Sequence, residues 1–300
     1  MDLSVVVLNW NAAADTIACI RPLLKWTQIT PAIWVVDNAS ADDSITQIQA
    51  ALPQINLIPN PENLGFTGGT NLGVKAALEQ SPAPILLLNN DARVAEADAL
   101  RLCQTLQEHP DIGLIVPLLY EEDGEEFISA GGKNPAFHMQ TRVHTFPNDD
   151  PIQIVETVSG TAAFTQAAMW HQAGFLEPDF FFSTEMADLS LRAKKHGFLA
   201  AVERRAKATH ETNRSARFRS SLYTYYIVRN RFLVIRNHYK WHLHLWVFWL
   251  AYTAVLALKL RLENQPKTAT AVWLAFQDVL ARRWGGQNER VLAACRQIEQ

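Results

Sequence analysis

The sequence predicts an α/β fold, a Rossmann-like and mostly parallel sheet flanked by helices, with a helical C-terminal extension. Three observations carry this expectation. Over residues 1–95, four short aliphatic runs alternate with helix-length amphipathic stretches, the pattern that feeds parallel strands through helical crossovers. Each run empties into Asn, Asp or Gly, so the polar ends gather at one sheet edge, where open α/β sheets bind ligands. Beyond about residue 216 the chain is basic and aromatic and keeps helical character.

Residues 3–8 are the first strand, ending at Asn9-Trp10-Asn11, with a helix over 12–26. The second strand, 32–36, ends in Asp37-Asn38-Ala39-Ser40-Ala41-Asp42-Asp43. Ser40 and Asp43 resemble a capping box opening a helix at about 41–51, which leaves Asp37 free at the strand's end. The third strand, 55–59, leads through Asn63-Leu64-Gly65-Phe66-Thr67-Gly68-Gly69-Thr70-Asn71 into a helix from about 70 to 80. Its glycines serve a tight turn and close helix packing, or let backbone approach a bound sugar or phosphate. Residues 85–88 then run into Asn89-Asn90-Asp91. That tip either turns the chain and caps the next helix, or holds a hard, oxygen-liking cation that in turn holds phosphate. The first strand–helix turn lacks a glycine fingerprint and no Walker-type GK[ST] occurs, so a dinucleotide site of the Rossmann type and a P-loop are excluded.

Residues 95–108 predict another amphipathic helix and 113–118 another strand. Residues 120–150 are acidic and weakly periodic, an irregular hairpin or flap beside the site. Strand character returns over 155–164 around Ser159-Gly160, and 165–174 read as helix. In FFFSTEMADLSLR, a helix beginning near Glu185 puts Glu185 and Asp188 on one face and pairs Asp188 with Arg192. Two carboxylates at a helix N-terminus behind an aromatic run suit a general base in a partly dry pocket, or a cap with an ion pair.

The net charge of -3 conceals an asymmetry: residues 1–191 carry 24 Asp/Glu against 7 Lys/Arg, while 192–240 carry 13 Lys/Arg against Glu203 and Glu211. A basic block beside an acidic domain points to phosphates or an anionic membrane surface. No nucleic-acid-binding motif accompanies it, so nucleic acid is not an expected partner. Cys19, Cys103 and Cys295 are widely spaced and odd in number, which fits free thiols. With no secretory or transit segment evident, the expected location is cytoplasmic. Arg214, Arg217 and Arg219 precede Tyr223, Tyr225, Tyr226, Arg229, Asn230 and Arg231. This stretch either packs aromatics onto the α/β domain or brings an arginine to a bound phosphate. Residues 243–258 are apolar, bounded by Lys240, Lys259 and Arg261, and short of the roughly 20 residues of a spanning helix. They suit peripheral membrane contact through 241–261, a buried helix or a homodimer contact.

In order, the motifs VVVLNWN, VVDNASADD, NLGFTGGTN, LLLNND, VSGTAAF and FFFSTEMADLSLR, then a His and an RN-containing aromatic stretch, resemble the family 2 glycosyltransferases of the GT-A fold. More narrowly, they are similar to the rhamnosyltransferase-like branch that builds bacterial cell-surface polysaccharide. The resemblance covers about residues 3–240. It implies a catalytic domain over 1–215, with a donor half to about 95 and an acceptor half over 96–215, followed by a 216–300 extension. It implies inverting transfer of a sugar, rhamnose among the candidates, from a dTDP-, UDP- or GDP-linked donor to a glycan or lipid-linked acceptor. Asp37 would contact the donor base, and Asn9, Asn11, Asn63 and Gly65 would line the donor pocket. Asn89-Asn90-Asp91 stands at the DxD-type position, with Asp91, Asn89 and His210 holding Mg²⁺ or Mn²⁺. Glu185 is the expected base and Asp188 its reserve. Met186 stands where many members carry a second acid, and Asn89 replaces the first acid of the metal motif. Those departures leave a second reading, a catalytically impaired nucleotide-sugar-binding protein of the same fold.

Overall fold

A computed structural model describes residues 1–296, without the side chains of 212–220. Arg214, Arg217 and Arg219 therefore lie outside the described side chains. The first half alternates as expected: β1 (Asp2–Asn9), α1 (Ala13–Leu23), β2 (Thr30–Asn38), α2 (Ser44–Ala51), β3 (Asn56–Asn60), α3 (Gly65–Gln80) and β4 (Ile85–Asn89). These four strands are parallel in the order β3-β2-β1-β4. Register sets Asn9 opposite Asp37 and Leu8 opposite Asn89, so the polar tips stand side by side. The central strands β1 and β4 are buried along most of their length because helices and the remaining elements cover both faces of the sheet there, whereas edge strand β3 has no fully buried residue.

The chain continues through β5 (Ala92–Val94), α4 (Glu96–Glu108), β6 (Ile112–Glu121), β7 (Phe127–Ser129), β8 (Ile152–Val155), β9 (Ala162–Thr165), α5 (Ala167–Ala173), α6 (Glu185–Lys195) and β10 (Leu199–His210). The full sheet runs β3-β2-β1-β4-β9-β6-β10-β5, with β9 antiparallel to both β4 and β6 and β5 antiparallel to β10. The hairpin expected over 120–150 begins as the β6–β7 pair.

Several expectations are corrected. The helix expected from about 70 begins at Gly65. The strand expected around Ser159-Gly160 is two strands, β8 and β9, and Ser159-Gly160 lie in the loop between them. Strand β10 was hidden because Glu203-Arg204-Arg205 breaks its apolar alternation; there the pairing with β6 slips between Glu203 and Lys207, and Arg205 satisfies the buried Glu203 carboxylate.

Four helices complete the chain: α7 (Thr212–His238), α8 (Leu243–Leu262), α9 (Pro266–Leu280) and α10 (Asn288–Arg296). The last helix, expected over 268–284, is α9, and α10 follows it as a further helix that was not expected. The boundary expected at 215/216 falls within α7. Phe180, Leu191 and Ala136 of the sheet domain share one apolar cluster with Phe232, Leu233 and Trp249, so α7 and α8 pack directly on α6 and its preceding loop. Helix α8 is 20 residues long with a mean hydropathy of 1.6, long and apolar enough to cross a membrane by length and composition, and longer than the expected 243–258. It buries Leu245, Trp249, Thr253 and Ala257, a spacing of four that makes one face.

Candidate active site

The ends of β1, β2 and β4 form a continuous hydrogen-bonded edge. Asn90 Nδ2 donates to Thr16 Oγ1 at 3.1 Å, Thr16 Oγ1 donates to Asn9 Oδ1 at 2.7 Å, and Asn9 Nδ2 donates to Asp37 Oδ2 at 2.7 Å. Ser40 adds its hydroxyl to Asp37 Oδ2 at 2.7 Å and its backbone N–H to Oδ1 at 3.0 Å. Asn11 joins from the solvent side: its N–H donates to Ser40 Oγ at 2.8 Å and its Oδ1 accepts from Ala41 N at 2.7 Å.

The expected capping box is therefore corrected. Ser40 serves Asp37, and α2 starts after Asp43 with no side-chain cap bond. Asp37, expected free, is fully buried with three donors on its carboxylate. A buried charge needs that number of partners.

A second cluster centres on Asn38, whose Nδ2 donates to Asn63 Oδ1 and the Gly65 carbonyl, both at 3.0 Å. Asn63 Oδ1 also accepts from Gly65 N at 2.9 Å. Gly65 sits at φ +70°, and a Cβ there would overlap the Phe181 carbonyl oxygen. Only glycine meets both demands, so the start of α3 can lie against the loop that leads into α6.

Asp91 follows β4, and His210 ends β10. The pairing of β10 with β5 brings them together: His210 Nε2 is 3.0 Å from Asp91 Oδ1, and their side chains are 17% and 18% exposed. Asn89 stands two residues before Asp91 at the end of β4, where its backbone N–H donates to Thr161 O at 2.9 Å. Among the described residues, no group of three or more His, Cys, Asp and Glu is placed to hold a metal ion. A carboxylate and an imidazole in contact nevertheless fit Mg²⁺ or Mn²⁺, which commonly takes one or two protein ligands and fills its remaining positions from substrate phosphates and water. Asp91 and His210, with Asn89 beside them, are the residues that could hold it.

The second wall is α6. Phe181, Ser183 and Thr184 all hold left-handed backbone, at φ 61°, 67° and 72°. Non-glycine residues keep such conformations only where the surroundings over-determine them, commonly at functional sites. Glu185 comes next, 6% exposed, and its Oε2 has no hydrogen-bond partner. Burial pushes its carboxyl up to about 7, against the pull of the backbone N–H groups of Glu185 and Met186. Asp188 differs in every respect. Its Oδ2 accepts from Arg192 Nε at 2.8 Å, and its Oδ1 from Asn237 Nδ2 at 3.0 Å with His238 Nε2 at 2.9 Å. Burial opposes ionisation, but the His238 bond, the Arg192 charge and the Asn237 bond outweigh it and hold the carboxyl at about 2. The expected reserve base is thereby corrected: both oxygens are occupied by structural partners. Met186 is buried near Gly160, one residue from Thr161, which links this wall to Asn89.

The profile of Glycosyl transferase family 2 matches residues 4–169, more than half of the chain. The chain belongs to glycosyl transferase family 2. This family 2 chain is 24% identical over 236 residues to the low-salt glycan biosynthesis hexosyltransferase Agl10 of Haloferax volcanii, covering 77% of this chain and 75% of that protein. It is 22% identical over 234 residues to the N-acetylglucosaminyl-diphospho-decaprenol L-rhamnosyltransferase of Mycobacterium tuberculosis, covering 69% and 75%. The crystal structure of GalNAc-T7 with UDP, GalNAc and Mn²⁺ superposes with a TM-score of 0.62 at 15% identity, over 79% of this chain and 48% of that one. At that identity the likeness is one of fold, the GT-A glycosyltransferase fold.

The edge and the α6 wall also contain residues that the sequence did not single out. Thr16 lies in the first turn of α1 with no signal of its own. Asn38 stood within the DNAS run but was overshadowed by Asp37. Asn237 and His238 lie 49 and 50 positions from the Asp188 they hold. Arg229 is fully buried on backbone carbonyls, so the packing alternative describes it and the phosphate alternative does not.

Proposed function

We propose that this protein transfers a sugar from a nucleoside-diphosphate sugar to a hydroxyl of a glycan or lipid-linked acceptor, with inversion at the anomeric carbon and Glu185 as general base. The observation that carries the reading is the Glu185 carboxyl, buried behind a strained turn, with Oε2 unpartnered and a proton affinity near neutrality. Those are the properties of a base kept ready for one incoming hydroxyl. Glu185 takes the acceptor hydroxyl's proton as that oxygen bonds to the anomeric carbon. The bond to the nucleoside diphosphate breaks, and its electron pair leaves with the phosphate oxygen.

Asp91 and His210, with Asn89, would hold Mg²⁺ or Mn²⁺, which would supply positive charge against the diphosphate of the leaving group. The Asn9–Asp37–Ser40–Asn11 edge, the Asn63–Gly65 turn and Asn90 form the donor side. There Asp37 fixes Asn9 and Ser40, and these reach the donor in its place. Met186 packs as a core side chain, so the role of the missing second acid falls wholly on Glu185. The mycobacterial relative is named for L-rhamnose transfer, which places dTDP-rhamnose first among donors to try.

The acceptor's lipid suits the outward face of α8. Leu243, Val247, Val255, Leu258 and Leu262 are 71%, 68%, 64%, 62% and 79% exposed. Lys240, Lys259 and Arg261 at its ends complement an anionic bilayer on its cytoplasmic side.

Thermal shift with UDP, dTDP and GDP, with and without Mn²⁺, identifies the nucleotide. Release of that nucleoside diphosphate from its sugar conjugate, dependent on the metal and lost in Glu185→Gln, is the expected result. Binding without turnover against any acceptor would favour the impaired binding protein. Sedimentation with phosphatidylserine vesicles at low salt tests the α8 face. A protein that ignores vesicles and forms a dimer in light scattering would assign that face to a second copy.

A further inference from the structure

The buried Arg229-Asn230 pair of α7 is placed against the strained turn before Glu185. Asn230 Nδ2 lies 3.0, 2.8 and 2.7 Å from the carbonyl oxygens of Phe180, Phe182 and Ser183. Arg229 Nη2 donates to the carbonyls of Asp179 and Phe180, both at 3.1 Å, and Nη1 to Gly285 O at 2.6 Å. Arg229 Nε donates to Asn230 Oδ1 at 3.0 Å, which fixes the amide's orientation: its oxygen faces the guanidinium, so its NH₂ faces the carbonyls. Both residues are 0% exposed. The guanidinium has no carboxylate partner in these contacts and lies over the Tyr226 and Tyr225 rings at 4.8 and 5.4 Å. A buried cation committed to main-chain oxygens fixes backbone rather than binding an anion.

From the opposite side, Thr67 N of α3 donates to Phe181 O at 3.2 Å. The turn is thus gripped between α3 and α7. Two of its left-handed residues, Phe181 and Ser183, have their carbonyls held in this way, by Thr67 N and by Asn230 Nδ2.

We infer that Arg229 and Asn230 are positioning residues for Glu185, holding the Asp179, Phe180, Phe182 and Ser183 carbonyls so that the first turn of α6 keeps its carboxyl inside the pocket. The inference rests on the reading of Glu185 as base only for its catalytic consequence. Released from this clamp, the turn relaxes toward ordinary backbone and the carboxyl gains water. Asp188 on the same helix, with Arg192 and His238 upon it, is the nearest charged set; its own bonds to α7 are untouched by changes at 229 and 230.

The test is a ¹³C NMR pH titration of the full chain labelled at glutamate Cδ, with Glu185→Gln identifying the resonance. In the wild type Glu185 titrates at about 7. In Asn230→Ala it moves toward the ordinary glutamate range, about 4.3, and Arg229→Lys moves it part of the way. Tyr239→Phe, which removes the bond from Asn134 Nδ2 at the C-terminal end of α7 and touches neither Arg229 nor Asn230, leaves it in place. A folded Asn230→Ala with an unmoved Glu185 resonance, or an equal movement in Tyr239→Phe, overturns the inference. Should Asn230→Ala fail to fold, Arg229→Lys decides by the same resonance. Because no substrate enters the titration, absence of turnover with every donor would remove the proposed function and leave this result standing.

Discussion

The two walls of the site are built on different principles. The donor edge holds itself: Asn9, Thr16, Asp37, Ser40 and Asn90 lie at the ends or flanks of neighbouring parallel strands and satisfy one another. The Glu185 wall is held from outside, by side chains 47 to 50 positions along the chain that grip a turn with three left-handed residues. The contrast teaches where reactivity is kept. A self-satisfied edge leaves its carboxylate with no unmet demand, whereas an externally held turn can maintain a carboxyl oxygen that nothing satisfies.

Substitutions should separate the walls. The largest effect is expected for Glu185→Gln, a fall in turnover of about 10²–10⁴ with nucleotide affinity nearly unchanged, read as kcat against the Kd for the nucleotide. Asp188→Ala should instead unfold readily, losing about 3 kcal/mol in denaturant titration, because it strands Arg192 and His238 around an empty site. Asp37→Asn is expected to cost about 1–3 kcal/mol, since its new NH₂ or lost charge disrupts the donors from Asn9 and Ser40. It should weaken nucleotide binding and leave the Glu185 titration where it is. Smallest is Thr184→Gly, which relieves a left-handed Thr and should raise stability by about 1 kcal/mol while lowering turnover.

The two carboxyls of α6 also respond to pH with opposite sign. Glu185 is raised to about 7 in the folded chain, so its contribution to stability is full below the ordinary glutamate value and is lost as pH rises through about 7. Asp188 is lowered to about 2, so its contribution is present above the ordinary aspartate value and is lost as pH falls through about 2. Thermal unfolding across pH should therefore show Glu185→Gln flattening the neutral limb and leaving the acid limb. Turnover should rise as pH passes through 7, when the base becomes available.

Most of the donor half was legible along the chain, because its information is local. Strand, polar tip and helix follow one another, and parallel pairing then aligns tips that each already look like tips. Gly65, Asn63 and Asp91 were visible on that basis. Strand β10 was not, since its alternation is broken by a Glu203–Arg205 pair whose cost only the bulge and Thr105 offset. The resemblance ranked Glu185 ahead of Asp188 as base, and spacing paired Asp188 with Arg192; the other partners that set the two acids apart, Asn237 and His238, lie 49 and 50 positions from Asp188 and have no local signal.

By itself, then, the sequence determined the alternating α/β order, the polar strand ends and the pair of acids opening α6, since each depends on side-chain periodicity and on neighbours a few residues away. That Glu185 Oε2 is left unsatisfied, that Asp37 is buried and that Arg229-Asn230 grips the turn were decided by the tertiary structure alone. Those properties depend on partners brought from distant segments and on the removal of water, and neither is encoded in any local spacing.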